Sequence, residues 1–225
     1  MLYAVGRRIA EEHPGVPRVL LGQSMGSFLV QRLIGEHPDA ADAAVLSASD
    51  GKPPPLAAVG RYIARLERLR VGPRGTSKLL QALSFDSFNK EFAPNRTAFD
   101  WLSRDEREVD LYVDDPLCGF AVTTQTWIDL LDALGDLTSR RHLARIDRDL
   151  PIYVLAGTKD PVGDFGRGVR RLVEAYRAAG LRNVELELYE GGRHEMLHET
   201  NRDEVIAKLI AWIERSLERA RARVA

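Results

Sequence analysis

The sequence predicts an α/β protein: a mostly parallel sheet covered by helices, with a helical segment inserted between two parts of the sheet. Three observations predict it. Short apolar runs near residues 18–22, 43–49, 151–157 and 184–190 alternate with stretches of helical periodicity, the pattern of parallel strands joined by helical crossovers. The first run passes through Gly22-Gln23-Ser24-Met25-Gly26 directly into a helical pattern (Phe28, Leu29, Val30, Leu33, Ile34). A long middle stretch, from about 56 to 147, is mostly helical and rich in aromatic residues, which is unlike either flank.

Each element follows in order. An amphipathic helix with Leu2, Tyr3, Val5 and Ile9 on one face opens the chain. The strand at 18–22 then turns sharply into a helix. Such a turn holds its central residue in a strained backbone conformation, so the neighbours Gly22 and Gly26 are expected to be small for that reason. Ala43 to Ser49 reads as a buried strand. Asp50-Gly51-Lys52-Pro53-Pro54-Pro55 breaks the pattern, because three prolines forbid a regular continuation. The organisation expected is a core of residues 1–52 and 148–225 and a helical cap of residues 53–147. The core resumes at Pro151 with a strand, a helix (Val169, Leu172, Val173, Tyr176), an alternating strand (Val184 to Glu190) and a C-terminal helix with apolar Val205, Ile206, Leu209, Ile210, Ile213 and Leu217. The Arg-rich tail, 215–225, is expected to fray.

Gly22-Gln23-Ser24-Met25-Gly26 is a G-x-S-x-G nucleophile elbow in the strand–turn–helix context that the motif requires. The turn lifts the Ser24 hydroxyl clear of the sheet and puts the Met25 N–H at a helix N-terminus, where it can donate to an oxyanion. In proteins built on this elbow the serine is followed in the chain by an acid and then a histidine. Asp160 follows the strand 151–157 and is the acid candidate. Asp164, four residues on, reads as a loop carboxylate or an N-cap. Among five histidines, His194 comes directly after the last strand and is the base candidate; His198 reads as a surface or packing residue. His13 and His37 each precede a proline and look like helix ends.

The elbow, Ala-Gly-Thr-Lys-Asp-Pro-Val-Gly at 156–163 and Gly-Gly-Arg-His-Glu-Met-Leu-His-Glu at 191–199 resemble the monoacylglycerol lipase / lysophospholipase group of α/β-hydrolases, also labelled serine aminopeptidase-like (S33). The middle is similar too, at Phe88 to Phe92, Arg96 to Ser103 and Tyr112 to Phe120, which is the cap in that family. The resemblance covers nearly the whole chain. It implies the α/β-hydrolase fold with Ser24 as nucleophile, Asp160 as acid, His194 as base and the Met25 N–H as one oxyanion donor. Gln23 stands where the family commonly has histidine. The family fold has eight strands with the nucleophile after the fifth, so its N-terminal strands 1–4 are absent here. So is the family's His-Gly motif, which supplies the second oxyanion N–H; the sequence contains no His-Gly dipeptide. A start placed at an internal methionine and a truncated chain both give this pattern.

Composition sets outer bounds. A chain of 225 residues is long enough for one α/β domain with a buried core. A net charge of −1 offers no field for nucleic acid or anionic membrane. Arg outnumbers Lys 27 to 5, but the arginines are interspersed with Asp and Glu and read as solvated helix faces. The single cysteine, Cys118, excludes an internal disulfide. No run approaches the roughly 20 apolar residues of a membrane span. The compartment expected is the cytoplasm; no signal-peptide pattern opens the chain, but with the N-terminal strands absent that lack is uninformative. No Cys/His cluster or phosphate loop points to a metal or cofactor, and triad chemistry needs neither.

The expected activity is hydrolysis of carboxylic esters through an acyl-enzyme, with a small-molecule lipid ester, a monoacylglycerol or lysophospholipid, as substrate. Phe85, Phe88, Phe92, Phe99, Trp101, Phe120 and Trp127 read first as the cap's own core. The sharper reading lines a groove over Ser24 with some of them, where each buried CH₂ of an acyl chain is worth about 0.8 kcal/mol. The cap is also where transient contact with a membrane surface is expected. The second reading is a truncated, catalytically impaired homologue that binds a ligand or nothing. A third is an esterase or haloperoxidase-type relative with the same triad and other substrates.

Overall fold

The computed structural model describes residues 1–51 and 56–224; Lys52 and the three prolines expected to break the core lie outside the described residues. Four strands form one parallel sheet in sequential order: β1 (Val19–Gln23), β2 (Ala43–Ser47), β3 (Ile152–Gly157) and β4 (Val184–Tyr189). Val19 stands opposite Ala43, Ala44 opposite Ile152, and Ile152 opposite Val184. Every residue of β2 and β3 is buried, which explains why these two read as unbroken apolar runs. β1 lies at the edge and is only partly covered.

Helices cover both faces. α1 (Leu2–Glu12) precedes β1 and α2 (Met25–Glu36) follows it; α9 (Arg167–Ala178) joins β3 to β4, and α10 (Arg202–Val224) closes the chain. One face packs α2 (Val30, Ile34) and α9 (Val169, Leu172, Val173, Tyr176) on Ala44, Leu46, Ile152 and Val154. The other packs α10 (Val205, Leu209, Trp212) on Ala43, Val45, Tyr153 and Leu155. Trp212 stacks on Tyr153 with ring centroids 5.2 Å apart. That stack sets the rotation of α10 and leaves Ile206 and Ile210 exposed, contrary to the apolar face expected from periodicity. The helix also runs through the Arg-rich tail as far as Val224, where fraying was expected. α1 has no buried residue; it is tied down where Tyr3 stacks on His37 at 3.7 Å and donates to Asp39 at 2.8 Å.

Between β2 and β3 the described residues form six α-helices: α3 (Leu56–Val71), α4 (Lys78–Leu83), α5 (Phe85–Asn89), α6 (Glu106–Asp114), α7 (Thr124–Leu137) and α8 (Arg140–Leu143). Side-chain caps start four of them: Ser77, Asp105, Thr123 and Ser139 each accept from a backbone N–H in the first turn. The insertion has a small core of its own, where Ala64, Leu80 and Ile128 meet Ile63, Trp127 and Leu131.

Candidate active site

The elbow is built by steric necessity. Ser24 has φ 50° and ψ −119°, a left-handed conformation that costs a non-glycine residue on the order of 1–3 kcal/mol. It is held there by Ser24 N–H donating to Ser47 O at 3.0 Å and by the start of α2. A Cβ on Gly22 would sit 2.3 Å from Gly26 O, so strand and helix can approach only with glycine at 22. At Gly26 the same addition meets open space, so the expectation of a small residue holds for one neighbour and not the other. Met25 is the first residue of α2, where an N–H has no intrahelical acceptor.

Beneath the elbow lies a buried polar chain. Ser27 Oγ donates to Ser24 O at 2.6 Å and lies 2.8 Å from Ser49 Oγ, whose hydroxyl can donate to it; Gln31 Nε2 donates to Ser49 Oγ, and Tyr176 OH donates to Gln31 Oε1. Ser27, Gln31, Ser49 and Tyr176 are all fully buried. This chain couples the elbow to α9, which packs on the same face of the sheet as α2.

Asp160 and His194 come from the ends of neighbouring strands. The loop after β4 lies so close on the end of β3 that a Cβ on Gly157 would be 2.0 Å from Gly192 O. Lys159 N–H donates to Gly192 O at 2.8 Å. This approach brings His194 Nδ1 to 2.9 Å from Asp160 Oδ1, which also accepts from Val162 N–H at 2.9 Å. Both side chains are buried. Burial opposes charge on the imidazole, but the charge of Asp160 and its hydrogen bond outweigh it, and the His194 pKa is raised above its ordinary 6.5. Gln23 Nε2 donates to His194 O at 3.1 Å, tying the His194 backbone to the residue before Ser24. Among the described residues no hydrogen bond joins Ser24 Oγ to His194.

The other candidates sort cleanly. Asp164 is a loop carboxylate that pairs with Arg167 at 2.6 Å and Arg171 at 3.1 Å; the cap of α9 is Gly166. His198 is exposed and lies 3.5 Å from Glu195. His13 and His37 end α1 and α2. His142 is buried against α2, its Nε2 3.0 Å from Gln31 O. The aromatics of the insertion divide. Trp127 belongs to the insertion's own core and also lies 5.5 Å from Phe85, and Phe120 is exposed. Phe85, Phe88 and Trp101 form a cluster that ends on His194, with the Trp101 ring 4.9 Å from the imidazole. A cavity of about 310 Å³ opens beside the loop after β4, lined by Leu102, Tyr112, Glu195 and His198 among others; neither Ser24 nor His194 lines it. No helix among the described residues is long and apolar enough to cross a membrane.

Sequence reasoning missed Glu199. It is fully buried and accepts from Arg104 N–H, Arg104 Nε, Arg193 N–H and Thr200 N–H at 2.9–3.1 Å. An acidic residue between a histidine and a threonine gives no local sign of burial; its main partner is 95 residues away.

The profile of the family described as Serine aminopeptidase, S33 matches residues 2–201. A monoacylglycerol lipase from Mycolicibacterium smegmatis is 29% identical over 209 residues, covering 91% of this chain and 64% of its own length. A monoglyceride lipase from Mus musculus is 28% identical over 217 residues, covering 95% of this chain and 64% of its own length. The chain thus spans about 64% of the length of these curated relatives. In structure it resembles a thermostable carboxyl esterase from Bacillus coagulans in complex with glycerol, with TM-score 0.83 and 22% identity over 94% of this chain and 68% of the other. It also resembles a lipase in an open form, with TM-score 0.81 and 25% identity over 95% of this chain and 70% of the other. A strained serine between strand and helix, a parallel sheet carrying it and a profile match over most of the length agree: the chain has the α/β-hydrolase fold and belongs to the Serine aminopeptidase, S33 family.

Proposed function

We propose that this chain carries the catalytic machinery of a carboxylic ester hydrolase, with Ser24 as nucleophile, His194 as base and Asp160 as the acid that orients it. The observation that carries the reading is the buried His194–Asp160 pair, whose backbone Gln23 ties to the elbow. Ser24 Oγ attacks the ester carbonyl carbon while His194 Nε2 takes its proton. The Met25 N–H donates to the oxyanion. The carbon–oxygen bond then breaks, His194 returns the proton to the leaving alcohol, and an acyl-serine remains. Water, deprotonated by His194, attacks the acyl carbon and releases the acid and Ser24. A lipid ester, monoacylglycerol or lysophospholipid, is the substrate class. The aromatic cluster that ends on His194 supports it, and so do relatives named as monoacylglycerol and monoglyceride lipases. The helical insertion serves as the cap and the surface that meets lipid.

A fluorophosphonate probe should label Ser24 alone, and monoacylglycerols should be cleaved faster than acetyl esters or aminoacyl amides. Labelling that persists in Ser24→Ala would sink the nucleophile assignment; a preference for acetyl esters or amides would sink the lipid reading. One observation favours a second reading, a homologue that binds its ligand without turnover: no hydrogen bond joins Ser24 to His194. In that case an acyl ligand raises the melting temperature while Ser24 stays unlabelled. Hydrogen bonds of resting sites often tighten only once substrate is bound, which keeps the catalytic reading first.

A further inference from the structure

We propose that Glu199 is a positioning residue that sets the place of His194 by strapping the base loop to the segment 100–105 of the insertion; this deepens the catalytic reading above and rests on it. Glu199 is fully buried, and every group within hydrogen-bond reach of its two oxygens is a donor. Oε1 accepts from the N–H of Arg104 at 3.1 Å and from that of Arg193, next to the base, at 2.9 Å. Oε2 accepts from Arg104 Nε at 2.9 Å, Thr200 N–H at 2.9 Å and Thr200 Oγ1 at 3.4 Å. A carboxylate can satisfy this many donors because it has acceptor sites only.

The two segments it joins are laced along their length. Glu195 N–H donates to Leu102 O at 2.7 Å, and Ser103 Oγ donates to His198 O at 2.9 Å. Arg193 Nη1 donates to Asp100 O and Ser103 O. Arg104 Nη2 donates to Asn201 Oδ1 at 3.1 Å. Between these bonds the Trp101 ring rests against His194. The imidazole therefore has Asp160 on one side and a part of the insertion on the other, and Glu199 fixes the distance between those two supports. Its carboxylate touches neither His194 nor Ser24, so its effect passes through the loop backbone.

The test is Glu199→Gln. The amide keeps the shape and one acceptor, but its NH₂ faces N–H donors, so the strap loosens without opening a cavity. The expected result is a fall in kcat, and in the rate of fluorophosphonate labelling, of about 10- to 100-fold, as small displacements of a catalytic group produce. KM should stay within about twofold, since ground-state binding is not the interaction removed. In ¹⁵N-histidine-labelled protein the His194 Nδ1–H resonance, shared with Asp160, should shift or broaden, and Glu199→Asp should restore part of the kcat. If Ser24→Ala and His194→Ala abolish labelling while Glu199→Gln changes neither kcat nor the resonance, the positioning role is overturned and the triad stands. If Glu199→Gln moves the resonance while Ser24→Ala and His194→Ala leave hydrolysis intact, the triad falls and the strap stands. Should Glu199→Gln not fold, Arg104→Gln decides by the same readouts: it removes the Nε donor from a partly exposed side chain, and an unchanged kcat and resonance overturn the proposal.

Discussion

At the scale of single residues the site is governed by one protonation state. In the proposed mechanism His194 must be neutral to take the Ser24 proton, and Asp160 raises its pKa above 6.5 in spite of burial. Activity should therefore rise with pH through a midpoint above 6.5 in the kcat/KM profile. In Asp160→Asn the raising partner is gone and burial remains, so the limb should move to lower pH while kcat drops about 10⁴-fold. His194→Ala should be as severe as Ser24→Ala, and exposed His198→Ala close to unchanged. Profiles on a chromogenic ester check all four; an inactivating His198→Ala would displace the base assignment. The nearness of Asp160 and His194 was legible because each follows a recognisable strand and the two strands are neighbours. The part of Glu199 was not, because it depends on Arg104, on a different element, and on which of many acidic residues the fold encloses.

At the scale of elements, the periodicity of α10 gave its existence and left its rotation ambiguous. Val205, Leu209 and Trp212 are buried, while Ile206 and Ile210 one step around the helix are exposed. The choice is made by Trp212 against Tyr153, a tertiary contact that helical periodicity alone does not weigh. Trp212→Ala should cost about 3–5 kcal/mol, as removal of a fully enclosed aromatic does, and Ile206→Ala well under about 1 kcal/mol. Urea unfolding of the two variants measures the difference; equal losses would mean that the helix is turned the other way. The strands were easier to read. β2 and β3 are enclosed on both faces and appear as unbroken apolar runs, whereas β4 alternates because it is half covered.

At the scale of the whole molecule, the sheet ends on β1, with β2 as its one neighbour among the described residues. Leu21, Met25 and Leu29 are each more than 40% exposed along that border. An open apolar edge pairs readily with another strand. The chain expressed by itself should therefore associate as its concentration rises, and Leu21→Lys should shift it toward monomer in size-exclusion chromatography; a wild-type chain that stays monomeric throughout would show that the border is inert. The order of strands has a consequence of a different kind. β2 and β3 lie side by side, Ala44 against Ile152, although residues 48–151 separate them along the chain. Their pairing closes a long loop, and each doubling of such a loop adds about 0.6 kcal/mol of entropy to the search. The insertion between them has a core of its own, at Ala64, Leu80 and Ile128, and forming that core first would shorten the loop the two strands have to close. Large-to-small changes in that cluster, such as Leu80→Ala, should therefore slow refolding of the sheet as well as lower stability, which stopped-flow fluorescence measures.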